Sequence, residues 1–294
     1  MSRTSVVGLD YGTNSVRALV VDVADGSELG SCVWEYAHGD AGVVLDPSDH
    51  NCARQHPADY VEGLKQAVRG AIEQARADDQ FTPDGVIGIG VDATGSTPLP
   101  VDEDGAPLAF QEAFADNPNA MAWLWKDHTS HEEAARITAA ACEQRPEYLK
   151  KCGGVYSSEW LWSKLWHCAR VAPDVFDAAH TWVEFADWIP ALLTGTTRPA
   201  QVKRCICAAG HKAMFHPEWG GYPDDEFLSS LEPGLGRIRG TLPDRAYHVG
   251  QSVGRLTEAW AGELGLPEGI PVAAGAFDAH LGAVGSGVRE GVMV

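Results

Sequence analysis

Basic charge is scarce in this 294-residue sequence: 22 Lys and Arg stand against 41 Asp and Glu, a formal net charge of -19. So acidic a chain repels polyanions and offers no basic patch, which excludes nucleic acid and anionic membrane as partners. Cysteine is sparse and unpatterned. The seven thiols, Cys32, Cys52, Cys142, Cys152, Cys168, Cys205 and Cys207, are odd in number and include no CxxC pair, which removes zinc ribbons, CxxC redox motifs and a disulfide framework. They read as reduced thiols, with Cys205 and Cys207 in core packing. No apolar run reaches membrane-spanning length, and no charged and apolar leader opens the chain, so the cytoplasm is the expected location. Solenoid repeats and low-complexity linkers are missing too. What is present is globular material, 45% hydrophobic, in a length that suits one large or two ordinary domains.

The most informative stretch covers residues 6–22, VVGLDYGTNSVRALVVD, two Val-rich runs joined by Tyr11-Gly12-Thr13-Asn14-Ser15. Such runs around turn residues predict a hairpin. Gly12 gives the turn access to backbone angles closed to other residues and to close approach of a ligand, and Thr13, Asn14 and Ser15 supply amide and side-chain donors. Successive N–H groups in such a turn form a concavity suited to an anion, phosphate above all. Asp10, ending the first strand, would stand beside that phosphate, where it could hold magnesium through water. An ordinary polar hairpin with a strand-terminal Asp accounts for the same residues.

Downstream, 26–36 reads as a third strand and 46–56 as a polar connection between Pro47 and Pro57. Tyr60, Val61, Leu64, Ala67, Val68, Ala71 and Ile72 recur at three- and four-residue spacing and predict an amphipathic helix over 58–77. The run 86–91, VIGIGV, ends at Asp92 and reads as a buried strand. Helical spacing returns over 129–145 and 157–170, where Trp160, Trp162 and Trp166 are packing aromatics. A helix over 184–194 stops at Gly195, and a short one runs from the N-cap Thr257 to Leu264. A strand over 271–274 then leads through Gly275 into a helix-like run to Val288. Strands interleaved with helices predict an α/β layer fold, with ligand chemistry at strand ends. Gly291-Val292-Met293-Val294 begins one more strand-like run, which predicts a domain over 1–288 and the first residues of another over 289–294.

Four further segments carry candidate chemistry. Gly88-Ile89-Gly90-Val91-Asp92-Ala93, with Glu112 beyond, satisfies a dinucleotide-binding pattern, but its glycines lie inside the apolar run and not in the turn after it. Crowding by neighbouring backbone would explain glycine at those positions. Residues 92–98, DATGSTP, make a polar turn of small residues, and 124–128, LWKDH, place Trp125 beside Asp127. Both segments also fit a surface loop and ordinary packing. Lys212 lies in CAAGHKAMFHPEWGG, 207–221, where a solvated surface lysine is the plain reading. Gly275-Ala276-Phe277-Asp278 puts a carboxylate at a helix start, as an N-cap or as a proton acceptor.

These segments resemble the FGGY family of sugar kinases, which share the actin-like ATPase (ribonuclease H-like) fold, an α/β design with a mixed sheet flanked by helices. The resemblance rests on the Asp-Tyr-Gly-Thr opening at 10–13, on GGVYSSEWLWSKLWH at 153–167 with its Lys164, on EFADWIPALLTGTTRP at 184–199 with a structural Asp187, and on GAFD at 275–278. The loops at Gly95 and Lys212 are similar to those of the branch that phosphorylates ribulose. By position, the resemblance implies that Gly12, Thr13, Asn14, Ser15 and Arg17 handle the ATP phosphates and that Asp10 holds Mg²⁺. It implies sugar contacts from Gly95, Ser96, Asp127, Lys212 and Asp278, with Asp278 as the catalytic base. The implied reaction is ATP-dependent phosphorylation of the ribulose 5-hydroxyl in arabinose catabolism. Adenine binding would fall to a second domain, so this chain alone would be inactive. ATP and a small sugar are the implied partners, and a homodimer is left open. Three rival readings stand beside it: a family member acting on D-ribulose, xylulose or another polyol, a non-catalytic sugar-sensing module of the same fold, and a dinucleotide oxidoreductase.

Overall fold

The structure is a computed structural model in which residues 3–291 are described; of the run at 291–294, the last three residues lie outside them. Its frame is a seven-stranded mixed sheet. Strands β1 (Ser5–Tyr11), β2 (Ser15–Asp22) and β3 (Glu28–Glu35) form an antiparallel meander. The segment expected as a polar connection instead holds β4 (Val44–Asp46) and β5 (Asp49–Gln55), an antiparallel pair. Asp-His-Asn-Cys-Ala-Arg-Gln shows no alternation; pairing on both sides and burial of Ala53, Arg54 and Gln55 hold it extended.

Helix α1 (Pro57–Ala75) follows, with Pro57 in its first turn and His56 Nδ1 accepting from Ala58 N at 3.2 Å. Strand β6 (Val86–Ala93) then inserts parallel to β1. Val7, Leu9 and Tyr11 of β1, Val16, Ala18 and Val20 of β2, and Ile89 and Val91 of β6 are all buried in one core with α1 and α5 (Phe185–Thr194). Each large side chain so buried contributes about 1.5–3 kcal/mol. Gly195, at φ 66°, caps α5 as glycine's left-handed freedom allows.

Between these lie β7 (Pro98–Val101), β8 (Ala122–Trp123), which pairs with β5, α2 (His131–Gln144), α3 (Leu161–Val171), α4 (Pro173–Ala178) and β9 (Thr181–Glu184), which pairs with β7. With α6 (Ile206–Ala213), α7 (Asp225–Leu231) and α8 (Pro233–Arg239), the helices build a second core around Trp123, Ile137, Trp162, Leu165, Phe227 and Leu235.

The main sheet is completed by β10 (Ser252–Arg255) and β11 (Pro271–Ala273), the latter parallel to β6, with α9 (Glu258–Leu264) between them and Thr257 as its N-cap. Beyond Gly275, β12 (Ala276–Phe277) also pairs with β6 and leads into α10 (Asp278–Gly285). The expected crowding at Gly88 and Gly90 is not found: a Cβ at Gly90 would meet nothing within 4 Å, and one at Gly88 only ordinary contacts from 3.5 Å. Both glycines instead line an open apolar concavity of about 540 Å³ on the sheet. Among the described residues, no helix is long and apolar enough to cross a membrane.

Candidate active site

Because β1 and β6 are parallel, their ends lie side by side, and Asp10 is the register partner of Asp92. On the far side of β6, Ala276 pairs with Asp92, so the chain leaving β12 delivers Asp278 to the same sheet end. Gly275 permits this: a Cβ there would stand 1.8 Å from the carbonyl oxygen of Ala186 in α5. The three carboxylates feel one another. Burial, then the charge of Asp10, raise the Asp92 carboxyl to about 7, and Asp278 adds to the effect. Asp278 is half-buried and also raised, first by burial and then by Asp10, while Ala279 N, donating to its Oδ1 at 2.7 Å, pulls the other way.

Lys212, on the last turn of α6, faces this group. Its Nζ lies 5.4 Å from the Trp160 ring, 5.9 Å from the Phe277 ring and 3.8 Å from Glu159 Oε2, and its charge reaches Asp278. Burial lowers its proton affinity, against the pull of Glu159, Glu184 and Asp278. Gly95 closes the set. A Cβ on Gly95 would fall 2.0 Å from the Phe277 ring, so glycine is required by the residue before Asp278 and not by open space for a ligand.

Two predicted sugar ligands are otherwise engaged. Ser96 is fully buried and its hydroxyl donates to Glu184 Oε1, while Thr97 N donates to Glu184 Oε2 at 2.8 Å. Asp127 is also fully buried. Its Oδ2 pairs with Arg54 and accepts from Ala53 N at 2.8 Å, and its Oδ1 accepts from Thr129 Oγ1 at 2.6 Å. A carboxylate so committed fastens its loop and is not presented to a hydroxyl. Its neighbour Trp125 is 37% exposed and donates from Nε1 to Thr13 Oγ1 at 3.0 Å.

The hairpin turn is held from several sides. Gly12 N donates to Ser15 O at 2.9 Å, Thr13 O accepts from Gln55 Nε2 at 2.7 Å, and Asn14 Nδ2 donates to Ala41 O at 2.6 Å. Gly12 itself stays outside the left-handed region, so the turn does not use the backbone freedom expected of it. Among the described residues, no acceptor meets the Thr13 and Asn14 N–H groups, which leaves both for an anion. Arg17 NH1 is 3.9 Å from Asp10 Oδ2.

Magnesium fits the oxygen donors here: Asp10 is accessible at the strand end, and beside it Asp92 Oδ1 is a buried oxygen with no hydrogen-bond partner. Among the described residues, no three His, Cys, Asp or Glu side chains are grouped to hold a metal alone, so an ion would depend on water and phosphate oxygens as well. Sequence reasoning missed Asp92, although it ends an apolar run as Asp10 does.

Comparison with known proteins identifies the family and the fold. Residues 5–285 match the FGGY family of carbohydrate kinases, N-terminal domain. The chain is 46% identical over 290 residues to a ribulokinase of Vibrio parahaemolyticus, covering 98% of this chain and 50% of that protein, and 41% identical to one of Shouchella clausii, covering 96% and 49%. It thus spans about half the length of the curated relatives it matches. Among solved structures, xylulose kinase from Rhodospirillum rubrum superposes with a TM-score of 0.76 at 23% identity, over 97% of this chain and 51% of that one. Plasmodium falciparum glycerol kinase with ADP does so at 0.73 and 15%, over 97% and 50%. At such identities the structures speak for the fold alone, and it is the expected actin-like sugar kinase fold, a mixed sheet flanked by helices. With a family match over nearly all of its length and sequence relatives to the same extent, the chain belongs to the FGGY family of carbohydrate kinases, through that family's N-terminal domain.

Proposed function

We propose that this chain is the acceptor-side domain of a cytoplasmic kinase that transfers the γ-phosphoryl group of ATP to the 5-hydroxyl of ribulose, as the name of its relatives suggests, within L-arabinose catabolism. The observation that carries the reading is that Asp10 and Asp278 leave neighbouring strands at one sheet end and that the charge of Lys212 reaches Asp278: a carboxylate beside the phosphate hairpin, a proton acceptor and a cation. Lys212 has three N–H donors for the hydroxyls and carbonyl of an open-chain ketose. Asp278 takes the proton of the attacking hydroxyl, and its raised proton affinity brings it nearer the working pH than an exposed carboxylate. The amides of Thr13 and Asn14, with Arg17, hold phosphate oxygens as the domains close. Magnesium, when bound at Asp10, supplies charge neutralisation of the phosphates. The backbone at Gly95 lies along the acceptor side, set there by Phe277. Residues 1–288 form this domain, and 289–294 lead into a second one that holds the adenine.

The test is ribulose-dependent ADP formation by the full-length protein and its Asp278→Asn variant. The variant should keep ribulose affinity in calorimetry and lose about 10²–10⁴-fold in turnover. Undiminished turnover sinks the assignment of Asp278, and faster turnover of xylulose than of ribulose sinks the choice of sugar. The 294-residue chain alone should turn over no ATP.

A further inference from the structure

We infer that Lys164 is a positioning residue for phosphoryl transfer, tying the acceptor loop at Ser96 to the segment that carries Trp125 against the phosphate hairpin. This rests on the kinase reading above.

Lysine is among the side chains least often buried. Lys164, on α3, is fully buried, and Nζ spends its three donors on three main-chain carbonyls: Leu124 O at 2.8 Å, Ser96 O at 2.9 Å and Trp123 O at 3.2 Å. Ser96 is therefore gripped at both ends, its carbonyl by Lys164 and its hydroxyl by Glu184. Leu124 precedes Trp125, whose indole reaches Thr13. Gly95 precedes Ser96 and abuts Phe277, the neighbour of Asp278.

One buried ammonium thus stands midway on a continuous path from the phosphate hairpin to the proposed base. An apolar residue would fill the space at a lower desolvation cost but would bridge nothing. Reaction across such a gap is sensitive to sub-ångström placement of donor and acceptor, which is what this tie controls.

The test uses the full-length protein with Lys164→Met, Trp125→Phe and the double variant. Lys164→Met should lower kcat on ribulose at least about tenfold, within the range that misplacement costs. It should also raise hydrogen exchange over 94–98 and 122–126 while leaving 57–75 unchanged. Trp125→Phe, at the exposed edge, should lower kcat with the fold intact. The loss in the double variant should fall short of the product of the two, because both cut one path. Wild-type kcat and KM in Lys164→Met below its melting temperature, or fully multiplicative losses, overturn the proposal. If Lys164→Met does not fold, Trp125→Phe decides, and unchanged kinetics there overturn it. If the wild-type protein does not phosphorylate ribulose, the kinase reading fails separately, and unchanged exchange over 94–98 and 122–126 in Lys164→Met then overturns the tie itself.

Discussion

Asp10 and Asp92 are register partners across the parallel pair β1 and β6, each one residue from the end of its strand. Two adjacent carboxylates repel, and the structure leaves that repulsion uncompensated: Asp92 Oδ1 is buried without a partner and its carboxyl is raised to about 7. On the proposed reading, a divalent cation bound to Asp10 through water would relieve it, and Asp92 would support that ion. Asp92→Asn is therefore expected to raise the Mg²⁺ concentration giving half-maximal turnover of the full-length enzyme by about 10–100-fold, the usual effect of losing such support. A magnesium titration identical to wild type would reduce Asp92 to a strand terminus.

Gly275 sets where Asp278 stands. A methyl group there must displace the backbone of Ala186, since the 1.8 Å contact is with a carbonyl oxygen that no rotamer change can move. Gly275→Ala should cost about 1–3 kcal/mol, as overpacking does, seen as a lower urea midpoint. Turnover should fall further than the folded fraction accounts for, because Asp278 lies three residues on. A variant with a lowered midpoint but full turnover per folded molecule would show that turnover does not depend on where Gly275 sets Asp278.

Much of this arrangement could be read from the residues. Spacing located α1, Gly195 and Thr257 marked the end of α5 and the start of α9, and the apolar run before Asp10 marked β1, but β12, the short strand that delivers Asp278, reads in sequence as the start of a helix. The hidden parts depend on partners far along the chain. Asp-His-Asn-Cys-Ala-Arg-Gln becomes β5 only by pairing with β4 and β8. Nothing local marks Asp127 as the buried mate of Arg54, or Lys164 as an interior cation. Gly95 lies in a turn of small residues, and only the fold shows that Phe277 leaves no room there for a side chain. A polar side chain's type is visible in sequence, but whether it faces a ligand or its own fold is decided by tertiary contact.

The reassignment of Asp127 is open to a direct check. Its ion pair with Arg54 is buried on both sides, and burial already depresses the Arg54 guanidinium to about 10. Asp127→Asn leaves that cation without its counter-charge, a change that costs about 3–5 kcal/mol in buried pairs. The melting temperature should drop clearly, while KM for ribulose, measured well below it, should stay within about twofold, since a group that never meets the sugar contributes nothing to ΔΔG‡. A large rise in KM with an unchanged melting temperature would restore Asp127 as a sugar ligand.

Asp187 offers a test through pH. It is 2% exposed at the start of α5, and its Oδ1 accepts from Cys205 N at 2.7 Å. Burial pushes its carboxyl up to about 7, although Arg204 and the Cys205 N–H pull the other way. In the unfolded chain the same group titrates at about 3.9. Between those two values the folded protein binds more protons at this site than the unfolded chain, so the site's contribution to stability is complete below about pH 4 and declines as pH rises toward 7. Above 7 the loss is constant. Asp187→Asn keeps an acceptor oxygen and cannot ionise, so its stability relative to wild type should be lowest at pH 5 and should climb through pH 6.5 to pH 8. Urea midpoints of both proteins at those three pH values measure the difference. A constant offset across them would mean that Asp187 is ionised throughout, held charged by Arg204 in spite of its burial.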